Sequence, residues 1–577
     1  MDTAKPFTAT ISGKQMPEIK KAQTLKGDIK NSKKNPLPGD LPEIAGFRTE
    51  NREMQTRFHF RMDLCVGCHA CEVACSEQNG LPVDTQWRRV GEVQCGTFPD
   101  TQNYFLSSGC NHCLDAACMK GCPVDAYEVN DRGIVLHKDD VCIGCGYCTW
   151  NCPYSVPVLQ ADRKIVTKCD MCTNRLDAGF DPACVQACPA NAIQIEEVML
   201  IDILNEHLKD GIGPDMPSPE ITMPSTKITL PEGMKVEDFH KVDRDIIELE
   251  EPHYPLIFMT VLTQLGFGGF VSIFIVDFIR TYLYQAEVGS TLGLLSIGLM
   301  AIVGMSLNAS TLHLGRPLYA FRALKNFKTS WLSREVIGLS AFAGSASLYA
   351  IFLFCTEGLS TFVDNAPFTL EQFGGDPIRM LLGAATVVFG VAGIYCSSKL
   401  YRVPARPAWN TIKTTIDFFD VSMILGPAMF IAATALACFW AKGDTDYIRT
   451  AASYAAICSF VALVFKASKN AYFIRKWTES DVFELVASAQ LRKEQMFRVR
   501  MTRNVMIIIS LLALATLFPG ESHWTPESFI GISLFALTTL TGISFLNRYI
   551  FFVTVVPRNI PGNYVMRTFD ALKHGKG

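Results

Sequence analysis

An apolar N-terminal core of the length a secretory signal needs is missing from this sequence, and so is a twin arginine. Its opening, "MDTAKPFTATISGKQMPEIKKAQ", mixes Lys, Pro, Thr and Glu without a period. Residues 1–56 are therefore expected to be a flexible extension. Charge of one sign is also missing: the net charge is −3, which gives no reason to expect nucleic acid as a partner. No glycine-rich dinucleotide fingerprint or flavin motif is present. Histidine is scarce, at 10 residues in 577. Paired histidines inside long apolar segments are lacking, which argues against haem. The centres of those segments lack Asp, Glu, Lys and Arg, which argues against a proton pump.

What the sequence has is cysteine, very unevenly placed. Seventeen of 21 lie between Cys65 and Cys188, whereas the long apolar runs all follow Tyr254. Sixteen of the seventeen form quartets: Cys65, Cys68, Cys71, Cys75; Cys110, Cys113, Cys118, Cys122; Cys142, Cys145, Cys148, Cys152; and Cys169, Cys172, Cys184, Cys188. The last three quartets end in Cys-Pro and the first does not. Three thiols within seven residues exceed what one tetrahedral zinc ion uses. A disulfide framework suits the density of cysteine but not a chain without a secretory signal. Iron–sulfur cubanes suit both, because three close cysteines reach three irons and a distant fourth completes the set. Four ligands per cluster give four 4Fe–4S clusters. Cys95 stands outside the quartets and reads as a packed thiol.

Short β-rich runs separate the quartets. "AYEVNDRGIVLHKDD" reads as a hairpin about Asp131-Arg132-Gly133, and "AIQIEEV" as a strand. The fold expected is an α+β ferredoxin-like domain over 57–199, built of two tandem two-cluster lobes. A proline-dotted acidic linker follows over 200–253, then an all-α membrane anchor over 254–553 and a tail over 554–577.

Eight apolar segments approach the ~20 residues a membrane helix needs. They lie near 255–279, 291–311, 336–356, 379–398, 420–441, 448–466, 504–518 and 527–548. Loops on the side shared with the N-terminus carry 21 Lys and Arg, against 2 on the other side. Positive charge favours the cytoplasmic face, so the cysteine-rich domain and both termini are expected in the cytoplasm, on the inner face of the cytoplasmic membrane. Electrons reaching this membrane half must leave through a diffusible lipid carrier, and quinone is the obvious one. His313, Glu335 and Arg548, all near span ends, have the proton and hydrogen-bond chemistry such a site needs. The glycine-rich "QLGFGGF" of the first span reads as a helix-packing surface.

Residues 57–198 resemble the four-cluster electron-transfer subunit of the dimethyl sulfoxide reductase family through "CVGCHACEVACSEQNGLP", "CIGCGYCTWNCPY" and the neighbouring quartets. Residues 251–577 resemble the membrane anchor of that family through "PLIFMTVLTQLGFGGF", "LHLGRPLYAFRAL", "SWLSREV" and "GISFLNRYIFF". The resemblance implies a natural fusion of two proteins that are usually separate. It implies that Cys65, Cys68 and Cys71 share a cluster with Cys188, and Cys75 with Cys169, Cys172 and Cys184. Likewise Cys110, Cys113 and Cys118 go with Cys152, and Cys122 with Cys142, Cys145 and Cys148. The Cys65 cluster then lies toward a molybdopterin catalytic subunit, the Cys142 cluster toward the quinone, and the positions of His313 and Glu335 serve menaquinol. The function implied is electron transfer and quinone binding, with substrate chemistry left to the partner. The alternative is a stand-alone quinone oxidoreductase fed by a soluble ferredoxin or flavoprotein.

Overall fold

The computed structural model describes residues 52–561, apart from residues 84, 211–212, 215, 285–290, 359–374, 441–445 and 519–524. The expected extension over 1–56, up to residue 51, and the tail from 562 onward lie outside the described residues.

The cysteine-rich half is a set of short strands and one-turn helices. In chain order these are β1 (Met54–Arg61), α1 (Ala70–Asn79), β2 (Arg89–Thr97), β3 (Asp100–Ser108), α2 (Ala117–Gly121), β4 (Tyr127–Val129), β5 (Val135–His137), α3 (Tyr147–Asn151), β6 (Val158–Gln160), β7 (Ile165–Thr167), α4 (Thr173–Asp177), α5 (Ala183–Gln186) and β8 (Ile193–Met199). β4 and β5 form the expected hairpin, with Val129 opposite Val135, and β8 is the expected strand, antiparallel to β1. α1 packs on α5, and α2 on α3. The two lobes are thus nested: the first and last quartets enclose the middle two.

The segment expected to be a linker is part of this half. It contains α6 (Leu200–Asp210), β9 (Lys227–Thr229) and β10 (Phe239–Lys241). β9 adds in parallel to β1, and β10 adds antiparallel to β2. The reason is backbone satisfaction. β1 and β2 each have one edge left open by β8 and β3, and an adjoining strand pairs the exposed N–H and C=O groups.

The second half is helical: α7 (Tyr254–Ile279), α8 (Thr291–Thr311), α9 (Trp331–Leu353), α10 (Gly375–Tyr401), α11 (Ile412–Trp440), α12 (Asp446–Thr478), α13 (Phe483–Glu494), α14 (Phe497–Thr516) and α15 (Pro526–Val553). Eight of these are long and apolar enough to cross a membrane, and α13 is not. Lipid does not drive helices together, so close approach relies on small residues. In the "QLGFGGF" run, a Cβ on Gly268 would stand 2.3 Å from the carbonyl oxygen of Ser422 and 2.9 Å from the Cα of Gly426, so α7 and α11 cross backbone to backbone.

Several helices outrun their expected spans. α11 starts at Ile412 rather than near 420, and α12 runs to Thr478 rather than 466. These extra turns carry Lys413, Asp417 and Lys469, all largely buried between helices. At the opposite ends of the helices, Asp277 of α7 is fully buried and pairs with Arg280 and Arg379. Hydropathy alone cuts a helix where its charges begin, whereas paired charges let the helix continue.

The loop between α8 and α9 fastens the two halves together. Gly315 N–H donates to the Gly144 carbonyl at 3.1 Å, and Arg316 N–H to that of Ile143 at 3.0 Å. Asn326 Nδ2 donates to the Cys122 carbonyl at 2.9 Å, and Ser330 Oγ to that of Gly121 at 2.8 Å. Gly144 has φ +67° and no room for a side chain, since an added Cβ would lie 2.9 Å from the Gly315 Cα. After α15 the chain turns back, and Ile560 enters the core of the cysteine-rich half.

Candidate metal centres and membrane-face cavity

The four quartets repeat one local geometry. In each, the residue before the second cysteine has left-handed backbone: Gly67 at φ 68°, His112 at 40°, Gly144 at 67° and Met171 at 61°. That turn points the backbone N–H at the first thiol. Gly144 N–H reaches Cys142 Sγ at 3.4 Å, and Met171 N–H reaches Cys169 Sγ at 3.3 Å. The Cys-Pro turns repeat as well. The third residue after the cysteine is left-handed at Asp125, Ser155 and Asn191. The next N–H then bonds the thiol: Ala126 to Cys122 Sγ at 3.3 Å, Ala192 to Cys188 Sγ at 3.2 Å, and Val156 to Cys152. Cys75 lies inside α1, where proline at the next position would remove a helix bond and clash with the preceding turn. This is why its quartet lacks the Cys-Pro ending.

The structure brings the sixteen thiols together in four groups. Cys65, Cys68, Cys71 and Cys188 line one small cavity, and Cys110, Cys113, Cys118 and Cys152 line another. Cys75 has Cys172 and Cys184 beside it, and Cys169 has Cys75 and Cys184. Cys145 has Cys122 and Cys142 as neighbours, and Cys148 has Cys145 and Cys122. Cys95 is half-buried in β2, away from these groups.

Burial, with repulsion from neighbouring thiols, pushes Cys75 up to about 12 and Cys152 to about 11, so these folded sites favour a ligand that supplies positive charge. Coordination to iron does so, because a coordinating thiol is deprotonated. Among the described residues, no three His, Cys, Asp or Glu side chains close on a point as a single metal ion requires. A cubane puts each thiolate on a different iron, so wider spacing fits it. The donor set therefore suits iron–sulfur clusters.

Two buried cations stand between the groups. Arg88 sits against Cys71, Cys75, Cys169 and Cys184, with Nη1 also donating to Ser107 Oγ at 3.2 Å. Lys168 faces Cys110, Cys118 and Cys169, and donates to the Cys169 carbonyl at 2.9 Å and to that of Val135. His112 accepts the Val135 N–H on Nδ1 at 3.2 Å, so its proton rests on Nε2, which lies 4.0 Å from Cys169 Sγ. Sequence reasoning misses all three. Arg88 and Lys168 show there only as charged residues near cysteines.

A cavity of about 210 Å3 opens where the Cys142–Cys145 loop meets the helices. Cys145, Tyr147 and Trp150 line it from the cysteine-rich half, and Met259, His313, Glu335 and Tyr401 from the membrane half. Tyr147 Oη donates to the Leu400 carbonyl at 2.9 Å, and Trp150 lies tilted against Tyr401 with ring centroids 5.9 Å apart. In the sequence both aromatics look like spacers between cysteines. The signal is there nonetheless: two large rings in loops otherwise built of small residues.

His313 has its Nδ1–H on the Ser310 carbonyl, leaving Nε2 as an acceptor. Burial pushes the imidazole down to about 4, so it is neutral near pH 7. Glu335 is 4% exposed, and its Oε1 has no hydrogen-bond partner. An orphaned oxygen in a largely apolar wall is what a hydrogen-bonding ligand would satisfy.

Arg548 does not join them, which corrects the grouping expected from sequence. Its Nη2 donates to Gln264 Oε1 at 2.9 Å, and its guanidinium lies over Phe418 at 3.9 Å, in a separate polar cavity. A span-end position fixes depth in the membrane but not which neighbour the side chain faces.

Comparisons with known proteins agree with this anatomy. The profile of the 4Fe-4S dicluster domain matches residues 101–198, and that of the DMSO reductase anchor subunit (DmsC) matches residues 249–552. Over 153 residues the sequence is 38% identical to a chain of the anaerobic dimethyl sulfoxide reductase of Haemophilus influenzae, covering 25% of this protein and 75% of that one. It is 40% identical over 153 residues to a subunit of the sulfite dehydrogenase of Allochromatium vinosum, covering 23% and 64%. It is 36% identical over 188 residues to the formate dehydrogenase iron-sulfur subunit of Wolinella succinogenes, covering 28% and 92%. The protein thus belongs to the dimethyl sulfoxide reductase family, as an iron–sulfur electron-transfer subunit and a DmsC-type anchor joined in one multi-pass membrane polypeptide.

Proposed function

We propose that this protein relays electrons between a separate molybdopterin catalytic subunit and the membrane quinone pool through four 4Fe–4S clusters. The observation that carries this reading is the cavity shared by Cys145, His313 and Glu335, which puts a cluster ligand and two proton-accepting groups around one apolar space. The four thiol groups described above would hold the clusters, which supply one-electron carriers. Oxidation of a hydroquinone releases two electrons and two protons. Nε2 of His313 accepts one hydroxyl proton and Glu335 the other, while Tyr147 and Trp150 wall the ring from water. Reduction of a quinone runs the same transfers backward. The surface bearing Cys65 and Cys68 is furthest in ligand order from this cavity and faces the partner. The 21-to-2 bias in Lys and Arg supports a cytoplasmic cysteine-rich half and cytoplasmic termini.

The test is purification in mild detergent, followed by mixing of the reduced protein with a soluble menaquinone analogue. A large molybdenum-containing partner should co-purify, and the clusters should reoxidise on mixing. Absence of the partner favours a stand-alone oxidoreductase, and clusters that stay reduced overturn the quinone assignment.

A further inference from the structure

We propose that the anchor carries a second ligand site, for a phosphate-type oxyanion, in the cationic cavity that holds Arg548. The cavity lies between α11, α12, α13, α14 and α15 and is lined by Lys413, Lys466, Arg492, Arg500, Arg503 and Arg548, with Asp417 as the lining carboxylate.

Among the described residues the charges around this cavity do not balance. Asp417 pairs with Lys413 and Lys469, and Asp420 pairs with Lys469. The remaining cations have neutral partners. Arg492 Nε donates to Thr554 Oγ1 at 2.7 Å, and Arg548 donates to Gln264. Arg503 donates to the side-chain oxygens of Asn504 and Asn547, and Arg500 to backbone carbonyls, while its buried Nε has no partner. Lys466 is 3% exposed and, among the described residues, has Asp420 and Asp417 near enough to act on its charge but no hydrogen bond or close ion pair, and both carboxylates are already paired with other lysines. Neutral acceptors satisfy hydrogen bonds but leave the charge, which burial away from water makes unfavourable without a counter-ion. Among the described residues two carboxylates thus face seven cations, and an anion would supply the missing counter-charge.

Depth and size narrow the ligand. Lys413 is the second residue of α11, Arg500 and Arg503 lie in the first two turns of α14, and Arg548 is near the end of α15. All are at the helix ends that face the cysteine-rich half, the level at which lipid phosphates sit. The enclosed space is about 30 Å3, against about 210 Å3 for the cavity at His313. It has room for the oxygens of a small anion and none for a ring. A phosphodiester without a cation of its own offers two oxygens that share a net negative charge, so the headgroup of an anionic lipid and a free phosphate share the required chemistry, whereas the zwitterionic phosphatidylcholine does not.

The test uses the full-length protein, delipidated and reconstituted in nanodiscs of phosphatidylcholine alone, with added phosphatidylglycerol, or with added inorganic phosphate. Thermal unfolding and native mass spectrometry are read for wild type, Lys466→Met and Arg503→Gln. Phosphatidylglycerol should raise the unfolding temperature of the wild type and leave a retained anionic lipid in the mass spectrum. Both variants should hold that lipid roughly tenfold more weakly. In phosphatidylcholine alone, Lys466→Met should be at least as stable as wild type, because it removes one of the surplus buried cations. A shift produced by inorganic phosphate alone would assign the site to a free anion. No shift with either probe, or equal retention by all three proteins, would overturn the proposal.

Discussion

Glu335 separates a role in quinone chemistry from a role in packing, because the two predict opposite signs for the same substitution. Its Oε1 is buried without a hydrogen-bond partner, which costs the folded protein about 1–3 kcal/mol. Methionine has similar length and no polar oxygen, so Glu335→Met should stabilise the empty protein by roughly that amount. The same change removes a proton acceptor from the cavity. Positioned acid–base groups contribute about 10²–10⁴-fold, so electron entry from a hydroquinone should slow by about 10²-fold or more, some 2.7 kcal/mol of barrier. Glu335→Gln keeps a polar side chain that can hydrogen-bond Ser397 or a ligand but loses the proton acceptor, and should show the slower rate without the gain in stability. Stopped-flow bleaching of the cluster absorbance reads the rate, and loss of helicity on heating reads the stability. Iron content should be unchanged throughout. A Met variant that melts lower and transfers electrons at the wild-type rate would show Glu335 to be a packing residue.

The pH response of His313 has a definite sign. Its folded value, about 4, lies below the ordinary 6.5, so its contribution to stability is complete above about pH 6.5 and is lost as pH falls toward 4. The loss is at most about 3 kcal/mol, and His313→Gln should flatten that part of a stability-against-pH curve; an unchanged slope would mean that the imidazole is not buried. His313→Ala should slow quinone-linked turnover at constant iron content. Cys145→Ser should remove or convert the one cluster beside the cavity, costing about a quarter of the iron at most, with the other paramagnetic signals retained; loss of all signals would mean the loop is needed for folding. A reporter fused to the C-terminus should be active in the cytoplasm, and activity on the outer side would overturn the orientation.

Much of this was legible in the residues because cysteine spacing and long apolar runs are local signals. Three thiols within seven residues can serve few purposes, and eight apolar segments locate eight helices whatever their packing. What escaped was set by tertiary pairing. β9 and β10 sit in a proline-dotted acidic stretch with no strand period, and they form because β1 and β2 offer open edges. Lys413, Asp417 and Lys469 mark the ends of apolar runs, yet the helices continue through them because each charge meets its opposite on a neighbouring helix or turn. Arg548 stands at the right depth for a quinone residue, and only the rotation of α15 shows that it faces Gln264 and Phe418. Tyr147 and Trp150 lie in plain view inside a metal-binding motif, but their function depends on a surface some 250 residues further along, with Tyr147 and Leu400 separated by 253 positions.

Joining the two halves in one polypeptide fixes their stoichiometry, yet a flexible tether alone would let the Cys145 loop wander over the membrane face. The structure removes that freedom by other means. Gly315, Arg316, Asn326 and Ser330 bond the carbonyls around Cys122 and Cys142, and Tyr147 bonds Leu400 from the opposite side of the cavity. At roughly 0.5–1.5 kcal/mol each, these bonds add to the apolar contacts across the same face. The segment after α15 closes a third side, with Lys241 Nζ donating to the Asn559 carbonyl at 3.1 Å and Glu250 N–H to that of Val553 at 2.9 Å. The connector itself is largely consumed by sheet pairing, so it contributes little slack and little strength of its own. The position of the Cys145 loop against the His313 and Glu335 cavity is therefore set by a docked surface, and two separate polypeptides presenting that surface could hold the same arrangement without the covalent link.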